Sequence, residues 1–190
     1  MQRFSYTGPM SKEFMPRRLD VQAFAESGAS LSGQEPLEKH PRLLAETQGG
    51  VAPAPIEWSA TGELRNPGHV NPDIWLHLSA RAVLALTCQR CLGPVDVPVA
   101  TVRDFRFVAD ENLAAAQDEE AQEDVLALSR DFDLLELVED ELLMETPLAP
   151  RHEVCPQPVR LTAADADFDA GEGERVNPFA VLGKLKGGKS

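Results

Sequence analysis

The stretch IWLHLSARAVLALTCQRCLGPVDVPVATVRDFRF, residues 74–107, decides the fold. Ile74, Leu76, Leu78, Ala80, Ala82, Leu84 and Leu86 occupy alternate positions, with His77, Ser79 and Arg81 between them. A period of two sends one set of side chains to one face, so the run predicts a half-buried β-strand with His77 on its outer side. After Cys88–Pro94 a second alternation of Val95, Val97, Val99, Thr101, Arg103, Phe105 and Phe107 predicts a strand returning antiparallel. The two make a long hairpin tipped by cysteines. Pro98 has no N–H to give to a ladder, which puts its strand at an edge or at a bulge.

Upstream, Ile56–Leu64 reads as a further strand, followed by a turn at Asn66, Pro67 and Gly68. Gly49, Gly50, Pro53 and Pro55 separate it from two short helical segments, Asp20–Glu26 and Pro36–Thr47, the second anchored by Leu37, Leu43 and Leu44. Downstream, Asp110–Ser129 is rich in Ala, Gln, Asp and Glu and has too little apolar character to order itself strongly. It predicts a mobile acidic loop near 110–130, with a partly helical portion. Asp131 or Asp133 then caps a helix whose Leu134, Leu135, Leu137, Val138, Leu142 and Leu143 form one packed face, ended by Pro147 and Pro150. Glu136, Glu139 and Asp140 fall nearer solvent.

The expected fold class is therefore α+β: a mainly antiparallel sheet around the cysteine-tipped hairpin, flanked by the 133–145 helix and the N-terminal helices. With 190 residues, 43% of them apolar, the chain supports one good core. Residues 1–160 read as a single domain. Residues 161–190 read as a polar linker and a short C-terminal docking segment, in which Pro178, Phe179, Val181, Leu182 and Leu185 supply an apolar patch.

The net charge of −13 is uneven. Asp110–Glu145 holds fourteen acids against one Arg, and the rest balances at seventeen of each sign. No broad basic surface is left to neutralise phosphates, which disfavours tight independent binding to duplex nucleic acid and favours a basic protein partner. The bland reading of the same run is a solvated loop and helix face. Neither a signal-peptide core nor a membrane-spanning stretch is evident, so a cytoplasmic protein without membrane contact is expected. There is no phosphate-cradling Gly-rich loop, no G-x-S-x-G and no H-E-x-x-H, so neither an enzyme nor a small-molecule substrate is expected.

Cys88-Gln89-Arg90-Cys91 puts two thiols on a short turn, and His152-Glu153-Val154-Cys155 repeats the spacing. Together Cys88, Cys91, His152 and Cys155 could form a Cys3His site for one structural zinc, because ligands two residues apart can be presented to one tetrahedral ion by a tight turn. Four protein ligands leave no open position for a substrate water. Two alternatives stay open: simple burial, with Cys88 extending the inner face of its strand, and a redox pair, although no βαβ context surrounds the motif.

The order of four features resembles the YceD family: the C-Q-R-C turn at Cys88–Cys91; Asp133-Leu134-Leu135 opening a helix that continues Val138-Glu139-Asp140-Glu141; Pro147-Leu148-Ala149-Pro150-Arg151-His152 leading to Cys155; and Asn177-Pro178-Phe179-Ala180-Val181-Leu182. The resemblance implies a role in synthesis, processing or stability of large-subunit ribosomal RNA, with metal and nucleic-acid binding as associated expectations. Joined to the charge count, it suggests a non-catalytic acidic adaptor or chaperone in ribosome assembly. Glu136, Glu139, Asp140 and Glu141 would then face a basic ribosomal protein or a large-subunit precursor. The alternative is a direct RNA-binding module on the cysteine-tipped hairpin, with Arg90, Lys184 and Lys186 touching phosphates.

Overall fold

A computed structural model describes residues 13–49, 55–70 and 72–156, all within one compact unit, Met1–Gln157. The linker and docking segment expected at 161–190, with Lys184 and Lys186, lie outside the described residues. In chain order the elements are α1 (Val21–Glu26), β1 (Ser30–Glu35), a 3-10 turn (Leu37–Lys39), α2 (Pro41–Glu46), β2 (Ile56–Arg65), β3 (Asp73–Thr87), β4 (Pro94–Val108), α3 (Glu111–Asp118), β5 (Asp124–Ala127) and α4 (Leu134–Met144). The architecture is α+β, with four helices and one five-stranded, mostly antiparallel sheet among the described residues.

Strands follow the chain across the sheet, β1-β2-β3-β4-β5. The first four pair antiparallel, and β3 meets β4 in register from Ile74↔Phe107 to Thr87↔Pro94. The alternating set Leu76, Leu78, Leu84 and Leu86 is almost fully buried on one face. Helices α1 and α4 pack against the inner strands, α1 on β2 and β3, α4 on β3 and β4. Gly62 permits the close approach of α1, since a Cβ there would stand 2.8 Å from the Ala25 backbone and from the Phe24 ring. The helices start where side chains accept their free N–H groups: Asp20 for α1, Asp110 for α3 and Asp133 for α4, the last accepting from Leu135 and Glu136.

Two strands differ from the sequence expectation. β1 (SLSGQE) has no strong alternation of its own, and pairing with β2 supplies what its propensity lacks. β5 and α3 lie in the segment expected as a mobile acidic loop. Three anchors explain this: Val125 and Ala114 are buried, Asp118 Oδ1 accepts the Val125 N–H at 3.0 Å, and Arg106 reaches both Glu123 (2.6 Å) and Gln117 (2.7 Å). The connection through α3 lets β5 run parallel to β4. β5 covers only Phe105–Val108, so among the described residues the β4 stretch containing Pro98 has no strand beside it on that edge.

On the outer face His77 sits between Asp104 (2.6 Å) and Glu63 (2.7 Å). Burial works to lower its pKa, but the bonds to Asp104 and Glu63 prevail and raise it.

Candidate metal centre

The connection between β3 and β4 is a tight turn built on backbone bonds: Cys88 N–H to Gly93 O (2.9 Å) and Leu92 N–H to Cys88 O (2.8 Å). Leu92 takes a φ of 59°, a left-handed conformation costly for a side chain with a Cβ. The turn buries Cys88 and leaves Cys91 half-buried. Gln48, beyond the end of α2, braces it through its N–H to Ala85 O (2.7 Å) and its Nε2 to Leu92 O (3.2 Å).

The other half of the cluster follows α4. Thr146 closes that helix with its N–H on Leu143 O and its hydroxyl on Leu142 O, and the chain then turns back across the hairpin tip. Gln89 N–H donates to Pro150 O at 2.8 Å. The Arg90 guanidinium donates to the carbonyls of His152 and Glu153. These bonds hold the H-x-x-C segment against the C-x-x-C turn.

As a result one ligand atom from each of Cys88, Cys91, His152 and Cys155 lies within 4.8 Å of every other. Cys91 Sγ and His152 Nδ1 are 3.5 Å apart. A tetrahedral zinc, with bonds of about 2.3 Å to sulfur and about 2.0 Å to nitrogen, needs S···N separations of about 3.5 Å and S···S separations of about 3.8 Å. The donor set and its spacing fit such an ion after a small contraction. Burial opposes ionisation of Cys88. The backbone N–H groups of Cys91, His152 and Arg90 and the His152 side chain overcome it, bringing the thiol down to about 5. Cys155 is raised, by burial first and then by its hydrogen bonds to Cys91 and Cys88. One thiolate ready at neutral pH beside the Cys155 thiol, which resists ionisation, suits a site that a cation completes. Zinc held there by four protein ligands would supply structural cross-linking.

A family model described as large ribosomal RNA subunit accumulation protein YceD matches residues 76–186. The chain belongs to the YceD family. That description ties this YceD-family protein to accumulation of large-subunit ribosomal RNA. No solved structure matches the chain. No helix among the described residues is long and apolar enough to cross a membrane.

The acids of the family's V-E-D-E helix do not form one solvent-facing patch. Glu136 is exposed, and Asp140 is partly exposed and bonded to Arg42. Glu139 and Glu141 are buried, at 5% and 6% exposure, which corrects their reading as partner-facing groups. Glu139 Oε1 accepts the N–H groups of Arg42 (2.7 Å) and Leu43 (3.2 Å), capping α2, whose own N-cap residue His40 offers no side-chain bond. Glu141 lies 3.6 Å from Arg103, an inner-face residue of β4. Its pKa is raised by burial, against the pull of Arg103. Sequence periodicity missed these assignments because a carboxylate on the packed side of a helix is identified only by the distant N–H or cation that meets it. Arg90, read as a phosphate contact, is exposed yet donates to two carbonyls of its own chain. The bracing by Gln48, Gln89 and the Pro150 carbonyl has no sequence signature.

Proposed function

We propose that this YceD-family chain is a non-catalytic factor supporting synthesis, processing or stability of large-subunit ribosomal RNA, acting as an acidic adaptor or chaperone for a basic ribosomal protein or a large-subunit precursor. The observation that supports the non-catalytic part is the grouping of Cys88, Cys91, His152 and Cys155 at the turn between β3 and β4. Four ligand atoms clustered within 4.8 Å suit a structural zinc and leave no position for substrate. The acidic part rests on the 110–145 segment, from which Glu139 and Glu141 are now subtracted and in which Glu136, Glu111, Glu119 and Glu120 remain exposed. Direct RNA binding through the hairpin has less support, since the Arg90 guanidinium is directed at the carbonyls of His152 and Glu153. The cytoplasm is the compartment in which such a role belongs.

The test is affinity purification of the full chain from growing cells at low and high salt. Large-subunit precursors or basic ribosomal proteins recovered at low salt and lost at high salt are the expected result. Recovery of neither refutes the adaptor reading. Specific binding of naked large-subunit RNA, abolished by Arg90→Glu with zinc retained, would move the function to the RNA-binding alternative.

A further inference from the structure

At the end of the sheet remote from the cysteine turn, a groove of about 470 Å³ opens between α3, the start of β3 and the end of β4. Its apolar lining includes Val70, Ile74, Phe107, Val108, Leu113 and Leu128. Ile74 and Phe107 belong to the core, but at the mouth Val70 is 98% exposed, with almost no cover among the described residues, and Leu113 is 43% exposed, with partial cover. A volume of this size lies within the range of sites that bind other molecules, about 300–1,000 Å³.

The exposed charges at the lip of the groove next to α3 are acidic. Asp73 lines it, and Asp110 and Glu111, both exposed, lead from the groove residue Ala109 into α3 toward Leu113. Among the described residues the one base in the lining is Arg106, 19% exposed in its side chain and already bonded to Glu123 and Gln117. An apolar floor whose lip carries Asp73, Asp110 and Glu111, and whose one lining base is already paired, is complementary to a segment with apolar anchors flanked by Lys or Arg.

We propose that this groove is the docking surface for a basic amphipathic segment of a protein partner. The inference rests on the adaptor reading and locates its contact away from both the metal centre and α4. The apolar anchor supplies affinity by filling the groove, and the rim acids, chiefly Glu111, supply sign selection and a fast, salt-sensitive encounter.

The experiment titrates the full, metal-loaded protein with a fluorescein-labelled amphipathic peptide of Leu and Lys. Controls replace every Lys by Glu or every Leu by Ser. The expected result is binding of the Leu/Lys peptide alone. Affinity falls about tenfold in Leu113→Asp and Val70→Asp, and less in Glu111→Lys, where the loss disappears at high salt. Both Asp variants alter exposed side chains, and unchanged circular dichroism and melting show that they fold. Failure of the wild type to bind, or binding indifferent to these variants, overturns the proposal. So does a dimer in sedimentation that Leu113→Asp disperses, since the groove then belongs to a second copy. Co-purification of precursors by wild type separates the two readings: if it persists in Leu113→Asp, the groove fails and the adaptor stands; if wild type recovers nothing, the adaptor reading fails.

Discussion

The two ends of the β3–β4 hairpin are held by different means. Toward its middle and open end, Leu76, Leu78, Phe105 and Phe107 are buried beneath helices or in the sheet's inner layer, and the order follows from apolar area removed from water. At the cysteine end only Cys88 among the four clustered residues is buried, while Leu92, Leu148 and Val154 stand exposed at 69%, 102% and 86%. Order there comes from backbone hydrogen bonds, the Arg90 clamp and a donor set arranged for an ion. An ion held there would take the role that a core plays elsewhere, at a tip whose neighbouring large apolar side chains stand exposed.

The sharpest way to break this comparison is to remove the candidate metal ligands. Structural zinc sites contribute roughly 10–16 kcal/mol of apparent binding free energy near neutral pH. Metal analysis should find about one zinc per chain in untagged protein and none in Cys88→Ser or Cys155→Ser. Hydrogen exchange should then accelerate across residues 88–93 and 147–156 while strands β2 and β3 stay protected. Metal-free protein with both loops still protected would defeat the zinc assignment, and collapse of β3 protection would show that the two ends are one unit.

The reverse perturbation is Leu78→Ala, which leaves a cavity in the helix-covered layer. It should cost about 2–5 kcal/mol in denaturant unfolding, with full zinc content below the transition. Early zinc loss would mean that the core dictates the geometry of the tip. Smaller still is Glu139→Ala, which uncaps α2 and, through Gln48, loosens the brace on the cysteine turn. About 1–2 kcal/mol is expected from a lost cap, with exchange rising at Leu92 as well as in α2. Unchanged stability would return Glu139 to the surface-interface reading.

The smallest effect is on the outer face, at His77. Its folded-state pKa lies above the ordinary value of 6.5, so its stabilisation is full below that value and is lost as pH rises through the folded pKa. His77→Gln should therefore lower the melting temperature more near pH 5.5 than near pH 8.5, across the range where histidine titrates. An equal decrease at both values would mean that the Glu63 and Asp104 contacts do not depend on the charge of the ring.

Much of this division can be read from residues 74–107, because strict alternation of apolar groups leaves a hairpin as the economical solution and its turn contains the thiols. Helix α4 and its Asp133 cap are equally legible, since cap and apolar face lie within one short segment. β5 is not: DVLA pairs with β4 where Asp118, Arg106 and Glu123 also hold it, and those bonds cross between elements. The ligand set was visible as two matching spacings, whereas the bonds that unite them are made by Gln89 N–H and Arg90 to carbonyls, groups that every residue carries. Glu139 and Glu141 were misread for the same reason.

The cluster also has an order in time. Cys91 and His152 stand 61 positions apart, and between them lie β4, α3, β5 and α4. At a synthesis rate of about 5–20 residues per second, the first two thiols precede the histidine by roughly 3–12 s. During that interval the nascent chain offers half a coordination sphere, and the second half arrives on the segment that follows α4. Ion capture by all four residues would therefore mark a chain whose described sheet and last described helix are already made, and would turn metal content into a record of completed folding.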